Sequence, residues 1–71
     1  MTNKKFDGDK LKQLRLDFNL TQAELGEMIG IGRDRICRYE KGEEPKYSTL
    51  VDLANALEVP PSALFYYKVR T

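Results

Sequence analysis

"LTQAELGEMIGIGRDRICRYEKG", residues 20–42, decides how the rest of the chain is read. Thr21-Gln22-Ala23-Glu24 has the form of a capping box. In that arrangement the threonine hydroxyl accepts from the amide of Glu24, and the glutamate reaches back to the amide of Thr21. Leu20 and Leu25 stand where a hydrophobic staple joins. Leu25, Met28 and Ile29 then recur at helical spacing, and Gly30 stops the run. A turn of three residues, Gly30-Ile31-Gly32, leads to a further helical segment from Arg33 to Glu40 or Lys41, closed by Gly42.

Working outward, Leu11, Leu14, Arg15 and Phe18 share one stripe of a first helix, predicted over about Asp9 to Phe18. Asp7 or Asp9 can cap it, and Asn19 can end it in the left-handed conformation. Glu43-Glu44-Pro45-Lys46 reads as a loop. Tyr47 or Ser48 opens a fourth helix through Leu57, with Leu50, Leu53, Ala54 and Leu57 inward. Val59-Pro60-Pro61 breaks the chain before a short fifth helix, about Ser62 to Phe65. Strand signals are weak, with no clean alternating run. The expectation is a compact all-α domain of five short helices. Helices two and three, joined by a glycine-marked turn, form the helix-turn-helix pattern.

At 100° per residue, Ile36, Tyr39 and Glu40 fall on one side of helix three. Asp34, Arg38 and Lys41 fall on the other, with Arg33 and Cys37 at one edge and Arg35 at the opposite edge. The outer face is basic, and so is the N-terminal end. The helix macrodipole disfavours cations there, so an external anion such as a phosphate backbone would compensate. A solvated charged face has the same composition; the position after a capped helix and a tight turn favours the anion.

Two charges lie on inner stripes. Arg15 sits on the core side of helix one, and Glu40 on the core side of helix three, one turn past Ile36. A lone buried charge is costly, so the simplest inference is that they pair and tie helix one to the end of helix three. The alternative is that both reach solvent.

Composition limits the remaining possibilities. Seventy-one residues allow one domain. Apolar residues make up 41% and charged residues 32%, an ordinary soluble balance. The formal net charge of +1 argues against a strongly basic tail but not against a basic face. One cysteine, Cys37, permits no intrachain disulfide, and the chain suits a reducing, cytoplasmic setting. The start carries no apolar segment of signal-peptide type, and no run approaches a membrane span. There is no histidine, Cys37 has no neighbouring base, and no metal-ligand spacing occurs. An enzyme is therefore not expected, nor a metal, a cofactor, a membrane partner or a small-molecule ligand.

The stretch "LKQLRLDFNLTQAELGEMIGIGRDRICRYEKGEEPKYSTLVDLANALEVPPSALF" resembles the Cro/repressor class of helix-turn-helix domains, found in phage repressors and small bacterial regulators. The resemblance covers about residues 8–65. It rests on Leu-Arg, Leu-Thr-Gln-Ala-Glu-Leu, Gly-Ile, Ile-x-x-Tyr-Glu-x-Gly and Leu-x-x-Leu-Ala-x-Ala-Leu-x-Val. It implies a lambda-repressor-like domain over residues 8–65, an N-terminal arm over 1–7 and a tail over 66–71. It also implies that helix three enters the DNA major groove while helix two crosses the backbone.

Carried over by position, Arg33, Asp34 and Arg38 match base-reading positions, Gln22 and Lys46 match phosphate contacts, and Arg15 with Glu40 matches an ion pair between helices one and three. Arginine presents a fork of donors that fits guanine O6 and N7, which suits Arg33 and Arg38. Asp34 either accepts from cytosine N4 or pairs with Arg38 and aims it; aiming is favoured. Arg35 and Lys41 suit phosphate contacts. Four residues depart from the pattern. Gly26 replaces a usual alanine, Gly32 replaces a usual capping serine or threonine, and Glu43-Glu44 occupies a loop that is often basic. The two glutamates should weaken non-specific DNA binding or face away from it.

Leu64-Phe65-Tyr66-Tyr67-Lys68-Val69 is more apolar than a short last helix can hide. Either Leu64 and Phe65 close the core, or Phe65, Tyr66 and Tyr67 form a two-fold contact in a homodimer. The functional expectation is a sequence-specific regulator of double-stranded DNA, a repressor or autoregulator reading an inverted repeat. The competing expectation is an antitoxin-like or bridging module that works through a protein partner.

Overall fold

Backbone chemistry at a few positions sets the order of elements. The computed structural model of the chain describes residues 2–69, and side chains over 4–66. Helix α1 spans Gly8–Asp17 and is capped by Asp7, whose carboxylate accepts from the amide of Lys10 at 3.0 Å. It ends where Asn19 adopts a positive φ of 56°. Helix α2, Gln22–Ile29, carries the complete capping box: the Thr21 amide donates to Glu24 Oε1 at 2.8 Å, and the Glu24 amide donates to Thr21 Oγ1 at 3.0 Å. Gly30, at φ 77°, closes α2 in the left-handed region.

Helix α3 spans Arg33–Glu40 and starts at Gly32, which supplies no side-chain cap. Helix α4 spans Tyr47–Ala56. The helices enclose Leu11, Leu25, Ile36, Leu53, Leu57 and Leu64, all almost fully buried, with Tyr39, Leu50, Ala54 and Phe6 completing the core. Two glycines lie against backbone. A Cβ on Gly8 would come within 2.5 Å of the Tyr39 carbonyl oxygen and 2.7 Å of that of Glu40, so α1 and α3 cross there at close range. A Cβ on Gly26 would lie 2.5 Å from the Ile31 carbonyl oxygen. The glycine at that position thus lets the turn pack tightly onto α2.

The chain ends depart from the all-α, five-helix expectation. The predicted fifth helix is a single 3-10 turn, Pro61–Leu64, and Phe65 is already extended at φ −124°, ψ 154°. Consecutive prolines withhold amide donors, and four residues are too few to nucleate an α-helix. Thr2–Phe6 forms strand β1 and Phe65–Val69 forms strand β2. They pair antiparallel, with Phe6 opposite Phe65 and Thr2 opposite Val69. Residues 2–6 of the expected arm and 66–69 of the expected tail are thus paired in one ribbon. The second run is rich in aromatic and β-branched residues, which favour strands, but its partner is polar and distant in sequence. The ribbon is anchored at its base. Phe6 is buried and meets Phe65 edge-on, with ring centroids 6.2 Å apart. The Asp7 amide donates to the Leu64 carbonyl at 2.8 Å, and the Lys4 ammonium lies 4.3 Å from the Phe65 ring centroid.

Candidate nucleic-acid interface

Helix α3 presents two chemically distinct sides. Ile36, Tyr39 and Glu40 are buried; Arg33, Asp34, Arg35 and Arg38 are exposed, and Cys37 lies between. This is the division the helical spacing predicts. Burial of Ile36 and Tyr39 fixes the rotation of the helix about its axis, so its arginines are directed away from the core.

The position of α3 is set by a buried polar cluster. Arg15 Nε donates to Glu40 Oε2 at 2.5 Å, and Nη2 donates to Oε1 at 3.2 Å. Arg15 Nη1 donates to the Leu20 carbonyl at 2.7 Å. Arg15 is only 7% exposed and Glu40 9%, so the pair is desolvated and two-pronged. Gln22 Nε2 adds a third donor to Glu40, reaching Oε1 at 3.0 Å. One carboxylate thereby binds the end of α3 to both α1 and the first residue of α2. Among the described residues, no buried side-chain nitrogen or oxygen lacks a hydrogen-bond partner. The alternative that Arg15 and Glu40 both reach solvent is excluded.

The residues matched to DNA contacts fall into two groups. Gln22 and Arg33 line one open groove with Thr21, Ala23, Asn19 and Leu20, where α1 ends and α2 and α3 begin. One amide hydrogen of Gln22 is engaged by Glu40, so its nitrogen has one hydrogen left to donate outward. Arg38 lies toward the other end of α3, five residues and thus about 7.5 Å of helical rise from Arg33. Lys41 and Lys46 are exposed on either side of the loop that follows. Arg38 faces Glu43, with Nε 4.0 Å from Oε1, rather than Asp34. The favoured aiming of Arg38 by Asp34 is therefore not the arrangement found. The sequence contains both glutamates of the loop but no local signal that one returns to Arg38; that depends on the path of the chain through Gly42 at φ 112°. Likewise nothing local in the sequence signals the contact of Gln22 with Glu40.

Phe65 is half-buried and Tyr66 is 48% exposed; the side chain of Tyr67 lies outside the described residues. Among the described residues, no helix is long and apolar enough to cross a membrane. Among the described residues, no cluster of three or more histidine, cysteine or acidic side chains could hold a metal ion.

Comparison with known proteins agrees with this geometry. The helix-turn-helix family model matches residues 11–64. The cryptic phage CTXphi transcriptional repressor RstR of Vibrio cholerae is 38% identical over 56 residues, which cover 78% of this chain and 50% of RstR. The antitoxin PezA of Streptococcus pneumoniae is 37% identical over 46 residues, covering 65% of this chain and 29% of PezA. The crystal structure of the P22 c2 repressor in complex with a synthetic operator superposes with a TM-score of 0.78 at 31% identity, covering 80% of this chain and 88% of that one. The chain spans half or less of the length of the curated relatives it matches. The capped α2, the glycine-marked turn, the outward arginines of α3 and the matched stretch together assign the chain to the Cro/repressor-type helix-turn-helix family.

Proposed function

We propose that the protein is a cytoplasmic, sequence-specific regulator of transcription that binds double-stranded DNA as a homodimer on an inverted-repeat operator, acting as a repressor or autoregulator. The observation that carries this reading is the exposed arginine face of α3, held in a fixed orientation by the Arg15–Glu40–Gln22 cluster. A rigid element bearing forked donors is what base-edge recognition in a major groove requires. In this reading Arg33 and Arg38 read guanine, Asp34 accepts from cytosine, and Gln22, Arg35, Lys41 and Lys46 meet phosphates. Phe65, Tyr66 and Tyr67 supply the contact between subunits, so two α3 helices reach half-sites about 34 Å apart. The likeness to RstR and to the operator-bound c2 repressor supports this reading.

The test is selection from a random duplex pool with purified protein at physiological salt, followed by sequencing. An enriched inverted repeat is the expected result. Weak, salt-sensitive binding without enrichment would favour the second reading, an antitoxin-like module acting through a protein partner, which the likeness to PezA supports.

A further inference from the structure

We propose that Glu43 is a positioning residue for Arg38 that suppresses attraction to DNA phosphates in general and so widens the discrimination between operator and other duplex; the proposal rests on the DNA-binding reading above. Gly42, at φ 112°, turns the chain back so that the Glu43 amide donates to the Arg38 carbonyl at 3.1 Å. The backbone of Glu43 is thus fastened to the residue its carboxylate faces. The carboxylate oxygen stands 4.0 Å from Arg38 Nε, and both side chains are more than half exposed, at 58% for Arg38 and 53% for Glu43.

The pairing is selective. Among the described residues, Arg33, Arg35, Lys41 and Lys46 have no carboxylate within 4.0 Å, and neighbouring Glu44 has no cation within that distance. A pair this exposed contributes little to stability, so its effect lies in what Arg38 can meet. Contact at Nε leaves the two terminal nitrogens free to fork onto guanine O6 and N7. A phosphate that approaches Arg38 brings its negative charge against Glu43, whereas a guanine edge is neutral. The carboxylate therefore penalises backbone contact more than base contact, and it removes one cation from the set that releases counterions on any duplex.

The test compares the full chain with E43Q, E44Q, R38A and the R38A/E43Q double variant. Each is titrated with the operator selected from the random pool and with an unrelated duplex of equal length, across a salt series, and melting curves monitor folding. E43Q is expected to raise affinity for the unrelated duplex roughly two- to fivefold and to steepen its salt slope by about 0.9, with a smaller change on the operator. E44Q, which removes the same charge from an unpaired position, should change these quantities less. In the R38A background the effect of E43Q should vanish. Equal effects of E43Q and E44Q, persistence of the E43Q effect without Arg38, or no effect at all would each overturn the proposal. Failure of the unsubstituted protein to bind any duplex would instead overturn the DNA-binding reading, and the role of Glu43 with it.

Discussion

Arg15 and Glu40 meet through two parallel hydrogen bonds across the α1–α3 contact, and both are almost wholly removed from solvent. Twenty-five residues separate them in sequence. Their geometry holds the end of α3 against α1.

Removing either partner leaves an uncompensated buried charge. Glu40→Ala also deprives Gln22 of its acceptor. Either Arg15→Ala or Glu40→Ala is expected to cost about 3–5 kcal/mol of stability. Urea denaturation followed by circular dichroism measures it. A loss below about 1 kcal/mol would mean that the pair is wet in solution.

Arg38→Ala and Lys46→Ala should separate reading from holding. With Arg38 gone, base preference is expected to relax at one position in each half-site, by about 1–3 kcal/mol of discrimination. Lys46→Ala should weaken all sequences alike and lower the salt slope by about 0.9. Repeating the duplex selection with R38A, and salt titrations with K46A, decides both. An unaltered preference for R38A would remove that residue from the reading surface.

Gly8 lies at a close approach of α1 and α3, against the carbonyl oxygens of Tyr39 and Glu40. Because both obstacles are backbone atoms, Gly8→Ala must push the helices apart, at about 1–3 kcal/mol. A lowered melting temperature is the expected readout, and an unchanged one would show that α1 can shift without penalty.

Gly32 offers the opposite opportunity. It sits at the N-cap of α3 with φ −78° and ψ 159°, ordinary for any residue, and nothing lies within 4 Å of where its Cβ would be. Gly32→Ser supplies the missing cap oxygen and restricts the unfolded chain. A gain of about 0.5–1 kcal/mol is expected. Thermal melts of the two proteins side by side give the answer; a destabilised serine variant would contradict it.

The sequence makes the helical middle of this fold legible because its signals are local. Thr21 and Glu24 lie one turn apart, Gly30 and Gly42 mark their own stops, and the spacing of Ile36, Tyr39 and Glu40 orients α3 unaided. Arg15 and Glu40 could be paired from afar because each was a charge on an apolar stripe with few candidates to satisfy it. Less of the candidate site could be read. Arg38 has acidic residues on both sides in sequence, and spacing along the helix favours Asp34, yet the turn at Gly42 delivers Glu43. The strands lay beyond reach for the same reason. Each is short, one is polar, and the pairing that stabilises them joins opposite ends of the chain.

That pairing bears on how the molecule assembles. The helices form from neighbouring residues, whereas Thr2 and Val69 must close nearly the entire chain upon itself. Closing a loop of that length before its contacts exist is entropically unfavourable, so the ribbon is expected to zip last, outward from Phe6 and Phe65. By the same token it opens first. In native-state hydrogen exchange the amides of Thr2–Phe6 and Phe65–Val69 should exchange through sub-global opening, while those of α1 and α3 exchange only with global unfolding. Equal protection of both sets would mean that the ribbon and the helices fold as a single cooperative unit.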